Sequence, residues 1–144
     1  MEEAVRELLE GQRLGVLATS LEGHPYTTLV AFAASDDLRH LVFATTRATR
    51  KFANLEADPR VSLLVDSRTG SAADFREAAA VTALGTAVEA SAPEREALLP
   101  LYLARHPYLR EFVASPSCTL LRVAVRRYCL VRRFQEVEEL CLEP

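Results

Sequence analysis

The sequence predicts a mainly β protein with short helices, built as an antiparallel barrel of six or so strands. Three observations predict this. Short runs rich in valine, leucine and threonine recur along the chain, turn residues join consecutive runs closely, and helical periodicity surfaces only in short inserts. Of 144 residues, 49% are hydrophobic and 26% charged, the proportions of a globular chain with its own core. A single domain over residues 1–144 is expected.

The elements follow in order. Val5, Leu8 and Leu9 recur at helical spacing with Gly11 as a stop, which predicts a short amphipathic helix. Leu14 to Thr19 reads as a buried strand. Leu21-Glu22-Gly23-His24 is a turn, and Pro25 to Ala33 returns as the second strand of a hairpin. Ser35-Asp36-Asp37 turns the chain into a third strand, Leu41 to Thr45. The period then changes: Ala48, Phe52 and Leu55 share one helical face, with Arg47, Arg50, Lys51 and Asn54 turned elsewhere. Asp58-Pro59 ends this helix, because a residue before proline avoids helical angles.

Arg60 to Asp66 is a fourth strand, followed by a polar loop, Ser67 to Ser71, whose role the sequence leaves open. Ala78 to Glu89 reads as a long strand, with a helix at Ala72 to Ala80 as the competing reading; Gly85 inside it predicts a bulge or a close backbone approach. Pro93 with Glu94 and Glu96 opens a helix whose apolar face is Leu98, Leu99, Tyr102 and Leu103, and Pro100 is expected to bend or interrupt it. Leu120 to Val125 and Tyr128 to Val131 read as the last strands, before a charged C-terminal stretch.

Charge and composition exclude several function classes. The formal net charge is -3, so the chain has no overall attraction for a polyanion and nucleic acid is not an expected partner. The N-terminus is acidic where a secretory signal is basic, and no apolar run is long enough to cross a bilayer; no membrane association is expected. Cys118, Cys129 and Cys141 form neither an even set nor a Cys-x-x-Cys pair, which points to a reduced, cytoplasmic setting without a structural zinc. His24, His40 and His106 lack ligand spacing and read as surface or loop histidines, so no metal is expected.

The segment Thr45-Thr46-Arg47-Ala48-Thr49-Arg50-Lys51 carries the most chemistry. A strand ends, hydroxyls appear, and a helix starts among three cations. Helix N-termini expose unpaired amides and a partial positive charge, which suits a phosphate. Thr45, Thr46 and Thr49 offer hydroxyls, Arg50 a planar fork and Lys51 a mobile point charge. Lys51 is the only lysine in the sequence, every other cationic side chain being arginine. A solvated basic helix face is the competing reading of the same pattern.

From Arg13 to about Phe134 the chain resembles the pyridoxamine 5'-phosphate oxidase-like, FMN-binding split-barrel family, especially its branch related to haem-utilisation proteins. The matching pieces are Leu17-Ala18-Thr19-Ser20 with Gly23-His24-Pro25-Tyr26, Phe43-Ala44-Thr45 with Arg50-Lys51, and Asn54 through Leu64. Val81 through Ala87 and Ala104-Arg105-His106-Pro107 add to these. The resemblance implies a split β-barrel, a homodimer, and FMN at its interface. It further implies that Arg50 and Lys51, then Thr45 and Thr49, hold the phosphate side. Tyr26, Thr27 and Thr28 would run beside the ring, with ordinary barrel packing as the alternative for these three.

The sequence also departs from the better-known relatives. Val30-Ala31 stands where the oxidases carry a basic residue, and Val131-Arg132-Arg133-Phe134-Gln135-Glu136 lacks their Arg-x-His motif. Ala80 occupies a flavin-contacting glutamine position, so vitamin B6 oxidation is not expected. The tail also lacks the glycines and histidine of haem-degrading relatives. Arg126, Arg127, Arg132 and Arg133 read either as surface arginines or as a site for an anionic substrate.

The expected activity is a flavin-dependent oxidoreductase with no catalytic side chain of its own, using a nicotinamide nucleotide, a protein or a small molecule as electron partner. The alternatives are a flavin carrier or sensor, and a flavin-free dimeric scaffold.

Overall fold

A computed structural model describes residues Met1–Leu142. The strands are β1 (Leu14–Leu21), β2 (His24–Ala34), β3 (His40–Thr46), β4 (Arg60–Asp66), β5 (Ala79–Glu89), β6 (Cys118–Arg132) and β7 (Glu136–Cys141). The helices are α1 (Glu2–Gly11), α2 (Arg50–Ala57), α3 (Asp74–Glu77), α4 (Ala92–Arg105) and α5 (Arg110–Ala114), with a 3-10 turn at Pro107–Leu109 before the last.

All strand pairings are antiparallel, in the order β3-β2-β1-β4-β5-β6-β7. Pairing of β3 with the first half of β6 closes six strands into a barrel, and β7 hangs on the second half of β6. The predicted antiparallel split barrel is therefore the fold. Its alternation is plain in β4, where Val61, Leu63 and Val65 point inward and their neighbours are half-buried or exposed. Those inward residues join Leu17, Phe32, Phe43, Val81, Val123 and Tyr128 in the barrel core. The apolar stripe of α1, Val5, Leu8 and Leu9, packs into the same core. A second cluster forms outside the barrel, where Ala33, Val42 and Leu120 meet Tyr102 of α4 and Val113 of α5.

Two pairings are short, β1 with β4 and β2 with β3, and the second shapes the surface. β2 pairs with β3 only over Phe32–Ala34, so among the described residues no strand pairs with the edge of His24–Ala31 away from β1. Tyr102 caps the end of that edge, its hydroxyl donating to the Ala31 carbonyl at 3.1 Å.

The predicted irregularity at Gly85 is present as a register shift: Leu84 pairs with Arg127 and Gly85 with Val125, so Arg126 bulges from β6. A Cβ at Gly85 would collide with the carbonyl oxygen of Ala124, which is the close approach that only glycine permits.

Several expectations need correction. The two predicted final strands are one strand, β6, because the bulge at Arg126 lets the ladder run through the two arginines. The charged C-terminal stretch pairs as β7, with ion pairs such as Arg132–Glu138 across the ladder. The helix considered at Ala72 to Ala80 contracts to α3, and β5 starts at Ala79. Pro100 does not interrupt α4, and it lies on the exposed side of the helix. His106 lies in the junction between α4 and the 3-10 turn but not on the surface: it is 2% exposed, with Nε2 2.7 Å from the Phe32 carbonyl oxygen. Asn54 is likewise buried, its amide donating to Thr19 Oγ1 at 3.0 Å, so it belongs to the inward face of α2.

No described helix is long and apolar enough to cross a membrane. Among the described residues, all three cysteines are free thiols and no group of three or more His, Cys, Asp or Glu side chains could hold a metal.

Candidate functional site

The site is built where β3 hands over to α2. Thr45 is buried at the end of β3, its Oγ1 3.0 Å from Thr49 Oγ1 and 3.2 Å from the Thr46 carbonyl oxygen. Thr49 is the N-cap of α2: its Oγ1 accepts from the Phe52 amide at 3.2 Å and donates to the Thr46 carbonyl at 3.1 Å. Both hydroxyls are thus occupied in fixing the helix start, and they position the groups that follow. Phe52 and Leu55 anchor the helix in the core. By helix geometry the amides of Arg50 and Lys51, the first two helical residues, have no intrahelical acceptor, and they lie at the positive end of the helix.

The cations at this point divide into paired and unpaired. Arg47 is engaged by Glu89 at 2.8 Å. Asp58, at the far end of α2, is taken by Arg60, whose guanidinium holds its carboxyl down at about 2. Arg50 and Lys51 form no ion pair among the described residues. Lys51 is half-buried, and that burial lowers its pKa, because the ammonium loses water without gaining a counter-ion. An anion supplied from outside would reverse this.

Arg50 is held differently. Its guanidinium carbon stands 5.3 Å from the centroid of the Tyr26 ring on β2, a cation–π contact that joins α2 to the β1–β2 hairpin. Between these elements lies a groove of about 480 Å³, lined by Arg50, Ala53 and Asn54 on one side and Leu21, Glu22, His24, Pro25 and Tyr26 on the other. Thr27 and Thr28 continue from Tyr26 along the unpaired edge of β2, Thr27 exposed and Thr28 half-buried. Leu29 is 61% exposed on the same stretch.

The structure therefore brings Tyr26 and Arg50 into contact and links Thr45 to Thr49. Sequence reasoning missed Asn54 and the hairpin tip, Leu21 to His24, as parts of the same groove. The available signal was the helical phase of Asn54, one turn after Arg50 on α2.

The remaining arginines do not gather into one site. Arg127 faces Glu139, Arg132 faces Glu138 and Arg133 faces Glu136, all within the β6–β7 hairpin. Arg126 lies at the bulge. Exposed carboxylates so close favour the reading of these three as surface pairs. The Ser67 to Ser71 loop is held by Asp74, whose carboxylate accepts from the Thr69 and Gly70 amides.

Comparison with known proteins adds the following. A family model described as pyridoxamine 5'-phosphate oxidase matches residues 1–132. No curated protein matches the chain. A solved haem-binding protein from Mycobacterium smegmatis is similar, with a TM-score of 0.86 and 20% identity over 96% of this chain, which spans only 57% of that one. A FAD-binding protein from Mesorhizobium loti is similar with a TM-score of 0.72 and 19% identity, over 90% of this chain and 93% of that one. General stress protein 26 from Bacillus anthracis gives 0.72 and 20%, over 96% and 98%. At such identities these structures establish the fold.

Proposed function

Because this chain belongs to the pyridoxamine 5'-phosphate oxidase family, we propose that it binds FMN as a homodimer and acts as a flavin-dependent oxidoreductase. The observation that carries the proposal is the pair of cations, Arg50 and Lys51, without a counter-ion among the described residues at the start of α2. A phosphate monoester is the anion such a place suits: it takes the two free amides, the guanidinium fork and the ammonium together.

The neighbouring surface fits the rest of the cofactor. The unpaired backbone edge of His24–Ala31 offers amides and carbonyls to a heteroaromatic ring, and Thr27 and Thr28 lie along it. Thr45 and Thr49 serve by holding the helix start in place. A ring laid on this edge has one wall from this chain; exposed Leu29 beside it suits a second wall from another copy, which is the reason for proposing a dimer. The resemblance of the fold to a FAD-binding protein supports a flavin.

When bound, FMN supplies hydride and electron transfer through its ring. The chain's own part is to bind the phosphate, orient the ring and cover it from water. A nicotinamide nucleotide or another small reductant is the proposed electron donor, a soluble cytoplasmic setting the proposed location, and residues 1–144 the proposed single domain.

Anaerobic mixing of the FMN-loaded protein with NADH or NADPH tests the oxidoreductase. Bleaching of the flavin absorption near its visible maximum, reversed by an acceptor, is expected. A flavin that stays yellow with every donor tried would leave a carrier or sensor, and a protein that takes up no flavin would leave a scaffold.

A further inference from the structure

The β6–β7 hairpin carries two thiols on one face, and its register sets them on a diagonal. We propose that this hairpin is a redox switch: a peroxide joins Cys129 to Cys141, and β7 slips two residues along β6 to let the bond form. The switch is independent of the flavin.

The ladder sets the starting point. Cys129 lies opposite Glu139 and Cys141 opposite Arg127, so all four side chains share the outer face, away from buried Tyr128 and Leu130. The Leu142 amide donates to the Arg126 carbonyl at 2.8 Å, which makes that pair a hydrogen-bonded one. By alternation, Arg127/Cys141 and Cys129/Glu139 are non-hydrogen-bonded pairs. The cysteines are thus diagonal neighbours, with Cα atoms roughly 7–8 Å apart, too far for a disulfide. Moved two residues, Cys141 stands opposite Cys129 in a non-hydrogen-bonded pair. Cα atoms there are about 4.5 Å apart, within the span of a disulfide.

A slip of two keeps every side chain on its own face. The inner face gains by it. Leu130 now faces Glu138, and Tyr128 faces Leu140. After the slip Leu130 faces Leu140, Tyr128 faces Leu142, and Glu138 faces Arg132, the partner it already reaches. The present turn is costly as well. Arg133 and Phe134 have φ of 50° and 70°, consecutive left-handed positions that hairpins usually give to Asn-Gly. The slip widens the turn from Arg133–Gln135 to Arg133–Val137 and removes that requirement. Against it stand the ion pairs Arg127–Glu139 and Arg133–Glu136, and Phe134 packed edge-on against Phe75, ring centroids 5.6 Å apart. Among the described residues no strand but β6 pairs with β7, so these opposing terms decide its register.

The thiols differ in the way the chemistry needs. Cys141 is exposed and meets the oxidant first. Cys129 waits as a thiol, its pKa raised by burial and by the Glu139 carboxylate, whose Oε1 lies 3.8 Å from its sulfur. The Cys141 sulfur attacks hydrogen peroxide, the O–O bond breaks, and a sulfenic acid and one water form. The Cys129 sulfur then attacks the Cys141 sulfur. Its proton passes to Glu139 and on to the departing hydroxide, which leaves as a second water. Two electrons pass from the sulfurs to the peroxide. A transient bond of this kind suits a reducing compartment. Its consequence is structural: the widened turn draws Phe134 off Phe75 and unroofs the apolar pocket of about 560 Å³ that they share with Ala80 and Val131.

Peroxide treatment of the full chain carrying Cys118→Ser tests the switch. Both remaining thiols should disappear, the intact mass should fall by two hydrogens, and no chains should be cross-linked on a non-reducing gel. By NMR, an Hα–Hα contact between Cys129 and Cys141 should replace that between Cys129 and Glu139, and dithiothreitol should restore the first state. Adding Cys141→Ser should abolish the change of register under peroxide. Oxidation that stops at sulfenic or sulfinic acid, a bond between chains, or an internal disulfide that leaves Cys129 opposite Glu139 would overturn the proposal.

Discussion

Replacing Arg50 and Lys51 together by alanine removes the two charges at the start of α2 that have no counter-ion among the described residues. Each charge-assisted contact to a phosphate contributes about 1.5–3 kcal/mol, so the pair accounts for about 3–6 kcal/mol of FMN affinity. That range corresponds to a loss of roughly 10² to 10⁴ in Kd. The fold has little to lose by comparison. Arg50 is exposed and Lys51 half-buried, alanine is the best helix former, and the Thr49 cap and the Phe52 and Leu55 anchors stay in place. Only the contact of Arg50 with Tyr26 goes, worth about 0.5–1 kcal/mol at an exposed site. Calorimetry with FMN and with riboflavin, which lacks the phosphate, separates the two effects: FMN should lose its affinity while riboflavin keeps its own. An FMN affinity within threefold of the unaltered chain, or an equal loss for riboflavin, would refute the placement of the phosphate.

Three further outcomes follow from the packing. Thr49→Ala removes the cap on the Phe52 amide and the link to Thr45, and should cost about 1 kcal/mol in denaturant unfolding, with Thr49→Ser restoring most of it; an unchanged midpoint would contradict the capping role. Gly85→Ala drives a methyl into the Ala124 carbonyl and should destabilise by about 3 kcal/mol or more, whereas Gly11→Ala, with open space around it, should be neutral or slightly stabilising; similar melting temperatures for both variants would be wrong for this bulge. Burial pushes Tyr102 up to about 12 and Tyr128 above its ordinary range as well. The neutral forms are thus favoured in the fold, and stability is complete below pH 10 and falls as the pH rises from 10 towards 12, by about 3 kcal/mol from Tyr102 alone. Urea unfolding at pH 9 and pH 11.5 reads this, and equal midpoints would refute it.

The barrel was legible because its strands alternate cleanly and its turns are marked by glycine and aspartate, as in Glu22-Gly23 and Asp36-Asp37. Gly85 announced its bulge for a local reason, the lack of a Cβ. The continuity of β6 was hidden because Arg126 and Arg127 break an apolar run, and only pairing with β5 shows that the ladder absorbs the extra residue. β7 was hidden too: Val137 is exposed, only Leu140 of the strand packs against the core, and its register is fixed by partners on β6. His106 read as surface or loop and Asn54 as turned away from the apolar face of α2; their burial depends on partners, Phe32 and Thr19, from distant parts of the chain.

The candidate site divides in the same way. The order of hydroxyls and cations from Thr45 to Lys51 is local, and so could be read directly. The groove depends on the hairpin tip meeting α2 two strands later, a contact that no local period encodes.

The central claim is that this split barrel holds a flavin by its phosphate. The most direct measurement is the absorption spectrum of the protein after incubation with FMN and removal of free ligand on a desalting column. The account predicts a flavin spectrum at close to one equivalent per chain. A colourless protein would contradict it.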